Sequence, residues 1–423
     1  MVKSLPRLRT NVLALGSVQF LGYLIPLLTL PYVTRTIGVD AWGTVGLVQI
    51  IIGYFNLVTN WGFGMSGTRK IAAHRTDKNY RSRIFIAAWA AQLILGFVVV
   101  IVLILLIVFI PFFESYKNFY LLGIGIIVGN IMLPVWFLNG MECIKQSAII
   151  QICSRVLSLP LIFIFVKSSS DAYLMIAIGA FTSLTSGVAT IWWIFHNLDI
   201  NWRYPTFKEI FIEIKEGATV FASSVWITLY TTLTPVVLGV VAGQASAGYY
   251  ILADRFRQLA QSLLAPISQS LFPRMSSLFN DDTLKAKQLL LRSSKLILAI
   301  SASSSFSLWI FSEFIVVTFA GEDFRPAVPV LQLLAPLPFI ISLSNIFGIQ
   351  ILLPINKTKE FNGILAVAGA LSLSMIIPLI SLRNEQGAAI NTLLVELFVT
   401  LSMAAYLWKI GFFCSISKVK RMA

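Results

Sequence analysis

Charge is what this chain has least of. Lys, Arg, Asp and Glu make up 12% of its 423 residues, about half the share of a soluble protein. Apolar residues make up 57%, and the mean hydropathy is +0.84. Length rules for soluble domains therefore do not apply, and what counts is how many apolar stretches of about 20 residues fit. Cysteine is scarce too: Cys143, Cys153 and Cys414 have neither paired metal-ligand spacing nor an even number for disulfides. The two histidines, His74 and His196, fall in polar stretches, which excludes a Ser/His/Asp set. No cofactor and no metal site is expected. A nucleotide-binding G-x-x-x-x-G-K-[ST] loop is missing, since the nearest match, Gly38 to Gly43, continues with Thr44. No polar stretch is long enough for a soluble catalytic domain. The basic start, Met1 to Thr10, leads into a long apolar run with no small-residue cleavage site, so it reads as a retained first helix.

What is present is a series of apolar runs. Twelve spans are expected, near 11–34, 41–62, 84–110, 120–139, 148–166, 173–195, 217–241, 247–270, 293–319, 328–353, 361–381 and 388–408. Each is long enough to cross about 30 Å of hydrocarbon at about 1.5 Å per residue. The fold class is therefore all-α integral membrane. The formal charge is +14. In a membrane chain this reflects Lys and Arg collected in cytoplasmic loops, with no nucleic acid implied. Twenty-four of the 32 basic residues fall on the side of the N-terminus, against five (Arg35, Lys117, Lys167, Arg325, Arg383) on the other. Both termini are then cytoplasmic. The basic run Arg69 to Arg83 reads as an anchor to anionic headgroups.

The longest loop, His196 to Glu216, divides the chain into halves of six spans, 1–203 and 204–423. It reads as a short interfacial helix with Trp202 and Tyr204 at the headgroups. The halves share an element. Gly38 to Gly43 follows the first span and Gly243 to Gly248 follows the seventh, each a Gly-x-x-x-x-Gly hinge preceded by a proline, Pro31 or Pro235. A six-plus-six repeat predicts a pseudo-axis along the membrane normal and a binding site between the halves.

A charge at the centre of a span costs roughly 2.5–3.5 kcal/mol even on lenient scales. The eighth span carries several. At 100° per residue Asp254, Arg255, Arg257, Gln258, Gln261, Ser262, Ser268 and Gln269 share one arc of roughly 160°. Such a face lines water or polar substrate, or it forms an ion-pair network between helices. Arg257, at i+3, is better placed than Arg255 to pair with Asp254. Arg155 in the fifth span is either an anion contact or a salt-bridge partner. Glu396 in the twelfth is either a proton- or sodium-coupling group or a hydrogen-bonded neutral carboxyl. Arg35, at the outer end of the first span, is either a ligand or a snorkelling anchor. With arginines in surplus over Asp254 and Glu396, the expected cargo is an anion.

The stretch Asn11, Gln19, Pro26, Pro31-Tyr32-Val33-Thr34-Arg35-Thr36-Ile37-Gly38, Gly43 resembles the start of Wzx-type O-antigen and polysaccharide repeat-unit flippases. Leu271-Phe272-Pro273-Arg274-Met275-Ser276 is similar to that family's exit from the eighth helix. Phe319 to Phe324, followed by Ala327 to Leu331, is similar to its turn into the tenth. The resemblance implies the multidrug/oligosaccharidyl-lipid/polysaccharide exporter fold: two six-helix bundles forming a V around a central cavity. It implies alternating-access movement of an oligosaccharide on undecaprenyl pyrophosphate, from the cytoplasmic to the periplasmic leaflet of a bacterial inner membrane. By this resemblance Arg35 and Arg255 or Arg257 would meet the pyrophosphate. From their place in the spans alone, Arg155, Gln258 and Gln261 are also expected to bind substrate, and Asp254 and Glu396 to couple H+ or Na+. Membrane lipids, a polymerase and a chain-length regulator are the expected partners. The alternatives are a multidrug-type small-molecule exporter and, with less in its favour, a membrane-embedded polymerase, which needs a long loop or paired metal-binding carboxylates.

Overall fold

The computed structural model describes residues 5–412. Lys3, Cys414, Lys418, Lys420 and Arg421 lie outside the described residues, as do the side chains of Asn11, Gln19, Gln269 and Pro273. Among the described residues the chain is helical without strands. The helices are α1 (Leu5–Asn60), α2 (Phe63–Ala73), α3 (Lys78–Phe109), α4 (Pro111–Glu114), α5 (Lys117–Ile131), α6 (Val135–Gly140), α7 (Ile144–Phe165) and α8 (Ala172–Asn197). They continue as α9 (Phe207–Ser262), α10 (Ala265–Asp281), α11 (Thr283–Ile310), α12 (Ser312–Ala320), α13 (Ala327–Leu334), α14 (Leu337–Phe347) and α15 (Thr358–Lys409).

Eight stretches are long and apolar enough to cross a membrane, or nine if the α11–α12 pair, bent by 69°, is one broken span. Some are far longer than a bilayer is thick. The 52 residues of α15 would reach about 78 Å if straight, so this helix crosses twice. The folds fall at identifiable residues. α1 breaks at Gly38 (φ 77, ψ −179), α9 at Gly243 (φ 89, ψ 175) and α15 at Arg383–Asn384. Counted with these folds, the expected twelve crossings are accommodated among the described residues. Gly38 and Gly243 open the two Gly-x-x-x-x-Gly hinges and share one backbone conformation, open essentially to glycine alone. The likeness of the two hinges therefore extends from residue spacing to backbone geometry.

Two compact units result, Met1–Thr228 and Leu229–Ala423. The division falls inside α9, because the start of this helix packs on the first unit. There Gly125 and Gly129 of α5 meet Ala180, Ser183 and Gly187 of α8. A Cβ at Gly129 would lie 2.4 Å from the main-chain carbon of Ser183. Small residues four apart let two membrane helices approach to backbone contact, which gives dispersion what the hydrophobic effect does not supply in lipid.

At the opposite end from Gly38 the start of α9 is clamped. It forms one helix with the seventh span, so the expected separate interfacial helix is continuous with a membrane crossing. The Trp61 indole donates to the Ile214 carbonyl (2.8 Å) and stacks on Phe221 at 4.0 Å between centroids. Gly62 and Gly217 leave no room for a Cβ at their crossing. Lys70 Nζ pairs with Glu213 and Glu216, each at 2.8 Å, and Arg83 Nε pairs with Glu209 at 3.0 Å. Arg75 reaches Glu142 (2.8 Å), and Arg81 donates to the carbonyls of Arg75 and Leu198. Much of the basic run expected to grip headgroups is therefore spent on contacts within the protein.

The second unit is cored by Leu264, Leu271, Met275, Leu290, Ile297, Val395, Val399 and Met403. A π-turn at Gly348–Leu352 interrupts its tenth span and buries Gln350, whose Nε2 donates to the Ser268 carbonyl (3.1 Å).

Two outcomes are expected. Gly129→Val drives a side chain into the α8 backbone and should cost at least about 3 kcal/mol, the upper end of overpacking, read as lost membrane yield and earlier thermal unfolding in detergent. The Thr206 main-chain N–H, with Arg203, holds the Glu209 carboxyl below the usual range. A depressed carboxylate stabilises above its unfolded pKa and loses that contribution as pH falls through the folded value. Acidification through and below the carboxylate range should therefore loosen the clamp, seen as Trp61 emission changing in a variant retaining only that tryptophan near α9, and Glu209→Gln should weaken the transition, leaving the part carried by Glu213 with Lys70.

Candidate functional site

Of the polar arc predicted for the eighth span, Asp254 to Ser262 lie on α9 after Gly243, while Ser268 falls on α10 beyond a break at Leu263–Leu264. This part of α9 meets the part of α15 that follows Asn384 through Ser246 and Tyr250. Ser246 Oγ donates to Glu385 Oε2 (2.8 Å), and the Tyr250 hydroxyl and Thr392 Oγ1 are 2.9 Å apart. Arg257 Nε donates to Asp254 Oδ1 at 2.5 Å, while Gln258 Nε2 donates to Asp254 Oδ2 at 2.6 Å. Glu396 lies within electrostatic range of Arg257. Contacts stepping by three to seven residues on two helices make a polar seam through the second unit. Asn391, fully buried, extends it to Ser372 through a 3.1 Å hydrogen bond.

The i+3 partner is the one Asp254 takes, as expected. With side chains only 15% and 19% exposed, this pair is largely neutralised before any cargo arrives. Arg255 lies about 100° round the helix from Asp254, half-buried. Gln261 stands one turn beyond Arg257 with its Oε1 buried and without a donor among the described residues. Tyr250 lies one turn before Asp254, within the same arc, and was a signal the sequence reading passed over, whereas Thr392, 142 residues away on another helix, carries none.

The first unit holds the other two arginines. Arg155 lies on α7, with its guanidinium against Gly22 of α1. A Cβ at Gly22 would be 2.3 Å from Arg155 Nη1, so glycine provides the seat. Pro26 lacks the N–H that would have bonded the Gly22 carbonyl, so the helix is polar just beneath the guanidinium. No carboxylate among the described residues pairs with Arg155. Its side chain is exposed, and Gln151, Ser154 and Ser158 share its face at helical spacing, with Ser147 on the same face but buried. Gln151 Nε2 donates to Ser147 Oγ (3.0 Å). The spacing of that stripe was a readable signal, whereas the glycine seat was not. Arg35, exposed, lies 13 residues along α1 from Gly22, a rise of about 20 Å, so the two arginines stand at different depths. Near it the Tyr32 hydroxyl donates to the Val166 carbonyl (2.6 Å) and ties α1 to the end of α7. Among the described residues no three His, Cys, Asp or Glu side chains gather as a metal site.

Residues 8–279 match the family model described as "Polysaccharide biosynthesis protein". The chain belongs to this family. A curated relative from Escherichia coli K12, named "Putative O-antigen transporter", is 34% identical over 94% of this chain and 96% of its own length. One of the same name from Shigella dysenteriae is 27% identical over 94% and 99%. Among solved structures, an inward-facing multidrug resistance MATE family transporter of the MOP superfamily superposes with a TM-score of 0.73 at 14% identity, over 97% of this chain and 99% of the other. Lipid II flippase MurJ, in an inward closed conformation, does so with 0.72 at 14%, over 97% and 89%. These likenesses place the fold among membrane exporters and flippases. For this polysaccharide biosynthesis family member, the twofold arrangement of charge then stands out: a neutralised seam in one unit and an arginine without a carboxylate partner in the other.

Breaking the seam should cost more than removing it. Arg257→Ala leaves the half-buried Asp254 carboxylate without its cationic partner and with Gln258 as its remaining donor, at a cost of about 3 kcal/mol or more, whereas Asp254→Asn with Arg257→Gln keeps shape and hydrogen bonds without the charges. Thermal unfolding in detergent should rank the single variant well below the double.

Proposed function

We propose that the protein is a flippase for lipid-linked polysaccharide repeat units, moving a sugar headgroup on undecaprenyl pyrophosphate from the cytoplasmic to the periplasmic leaflet of a bacterial inner membrane by alternating access. Both termini are cytoplasmic in this reading. The observation that carries it is Arg155, an exposed guanidinium in a membrane span, seated on Gly22 and without a carboxylate. Facing hydrocarbon it would cost roughly 2.5–3.5 kcal/mol, so its surface is wet and open to an anion. Phosphate suits a guanidinium fork, which bonds it bidentately. Family membership supports a polysaccharide cargo over a small drug.

The charge arrangement also divides the roles. Arg155, with the hydroxyls and amide of its stripe, meets the diphosphate and the first sugars, and Arg35 meets the anion nearer the outer end. Arg255, Gln258 and Gln261 offer further donors. Arg257 is held by Asp254 and serves the seam. Asp254 and Glu396, both within electrostatic reach of Arg257, are the carboxylates that would couple transport to H+ or Na+. The sugar hydroxyls exchange water for these polar side chains, which lowers the cost of desolvating them. The protein works as a carrier in this reading, with no bond made or broken.

Arg155→Ala should abolish surface polysaccharide in a strain lacking its own copy while the protein stays in the membrane at normal level, and Arg155→Lys should restore part of it. Normal polysaccharide in Arg155→Ala would overturn the assignment. Sugar-chain elongation by the purified protein would overturn the carrier reading.

A further inference from the structure

The start of α9 has two faces of opposite character. At 100° per residue Phe207, Phe211, Lys215, Lys208 and Ile212 fall in one arc of about 140°. Glu216, Glu209, Glu213, Gly217, Ile210 and Ile214 fill the remainder of the turn. Burial follows the same division. Glu213 is 6% exposed against Lys70, while Phe207 and Phe211 are 87% and 65% exposed. Tyr204 and Trp202, just upstream, are also exposed. Glu209 and Glu213 face inward and pair with Arg83, Arg203 and Lys70, while Glu216, at the edge of the outer arc and exposed, is also held by Lys70. Both lysines face outward. The Trp61 indole and the Gly62–Gly217 crossing lock the helix about its axis, so the aromatic face cannot turn in.

We propose that this outer face is a docking surface for the anionic phospholipid headgroups of the adjoining leaflet. Its depth fits. From the Gly38 hinge to Gly62 the chain descends 24 residues, about 36 Å. The hydrocarbon is about 30 Å thick and the whole bilayer about 40–45 Å. Gly62 and its contact Gly217 therefore sit at the headgroup layer, and Lys215 to Phe207 lie within about 15 Å further along the axis. Aromatic rings favour this zone, and lysines within a Debye length of an anionic surface are drawn to it. Charge complementarity decides the occupant: the arc carries two lysines, and Glu216 at its edge is held by Lys70. An acidic lipid surface completes it, and the clamp would carry that contact to the loop between α2 and α3. The proposal does not depend on the transport reading.

The test uses the full chain in nanodiscs, with a fluorophore on Phe211→Cys after the three native cysteines are replaced. In phosphatidylcholine containing phosphatidylglycerol, a water-soluble quencher should reach the label roughly tenfold less than in phosphatidylcholine alone, the scale of two lysines drawn to an anionic leaflet. Lys208→Glu with Lys215→Glu should remove the difference. These substitutions leave the clamp untouched, so an unchanged melting temperature is expected and separates lost docking from misfolding. Equal quenching in the two lipids would overturn the proposal. So would protection that arises only when other membrane proteins are added, which would make this a protein interface.

Discussion

An ionised side chain in a hydrocarbon layer has to be paired or wetted, and the placement of charge in this protein follows from that cost. The second unit pairs: Arg257 with Asp254, Glu396 in range, Ser246 with Glu385. The first unit leaves Arg155 exposed on a glycine seat. Pairing favours a fixed seam, and an exposed guanidinium favours an exchangeable anion. In the proposed flippase reading the seam holds shape, and the exposed guanidinium lets an anionic headgroup on and off.

A second constraint is the backbone. Helices longer than a bilayer must fold back, and irregular backbone is tolerated at membrane depth only where it is shielded from lipid. This chain places its folds on residues suited to them. Gly38 and Gly243, and Gly321 between α12 and α13 (φ 97, ψ 170), adopt the extended positive-φ conformation that a Cβ opposes. The clamp at the start of α9 is tied through Glu209, Glu213 and Trp61, so the helix is firm there while its break lies at Gly243.

Much of this was legible in the residues. Apolar runs predicted the crossings, because a bilayer imposes a length on every span. The hinge glycines were visible by spacing, and the arc on the eighth span by its period. The linker helix was read as a short piece and is instead the start of α9, since nothing local marks where a polar helix joins the apolar one it continues. The basic run near Arg75 was read as lipid-facing for a related reason: its partners Glu142, Glu209 and Glu213 are distant along the chain, and no period connects them.

The sequence by itself therefore determined that the chain crosses the membrane many times, where it turns, and which helix carries a polar face. Those properties depend on composition and local period, which one-dimensional order contains. Local helical spacing already paired Asp254 with Arg257, and tertiary structure alone decided which charge stays available. Asp254 spends both carboxylate oxygens on Arg257 and Gln258, while Arg155 meets a glycine where another residue would have blocked it. Whether a charge is spent or free depends on what lies within a few ångströms through space, and for Arg155 that neighbour is Gly22, 133 residues away along the chain.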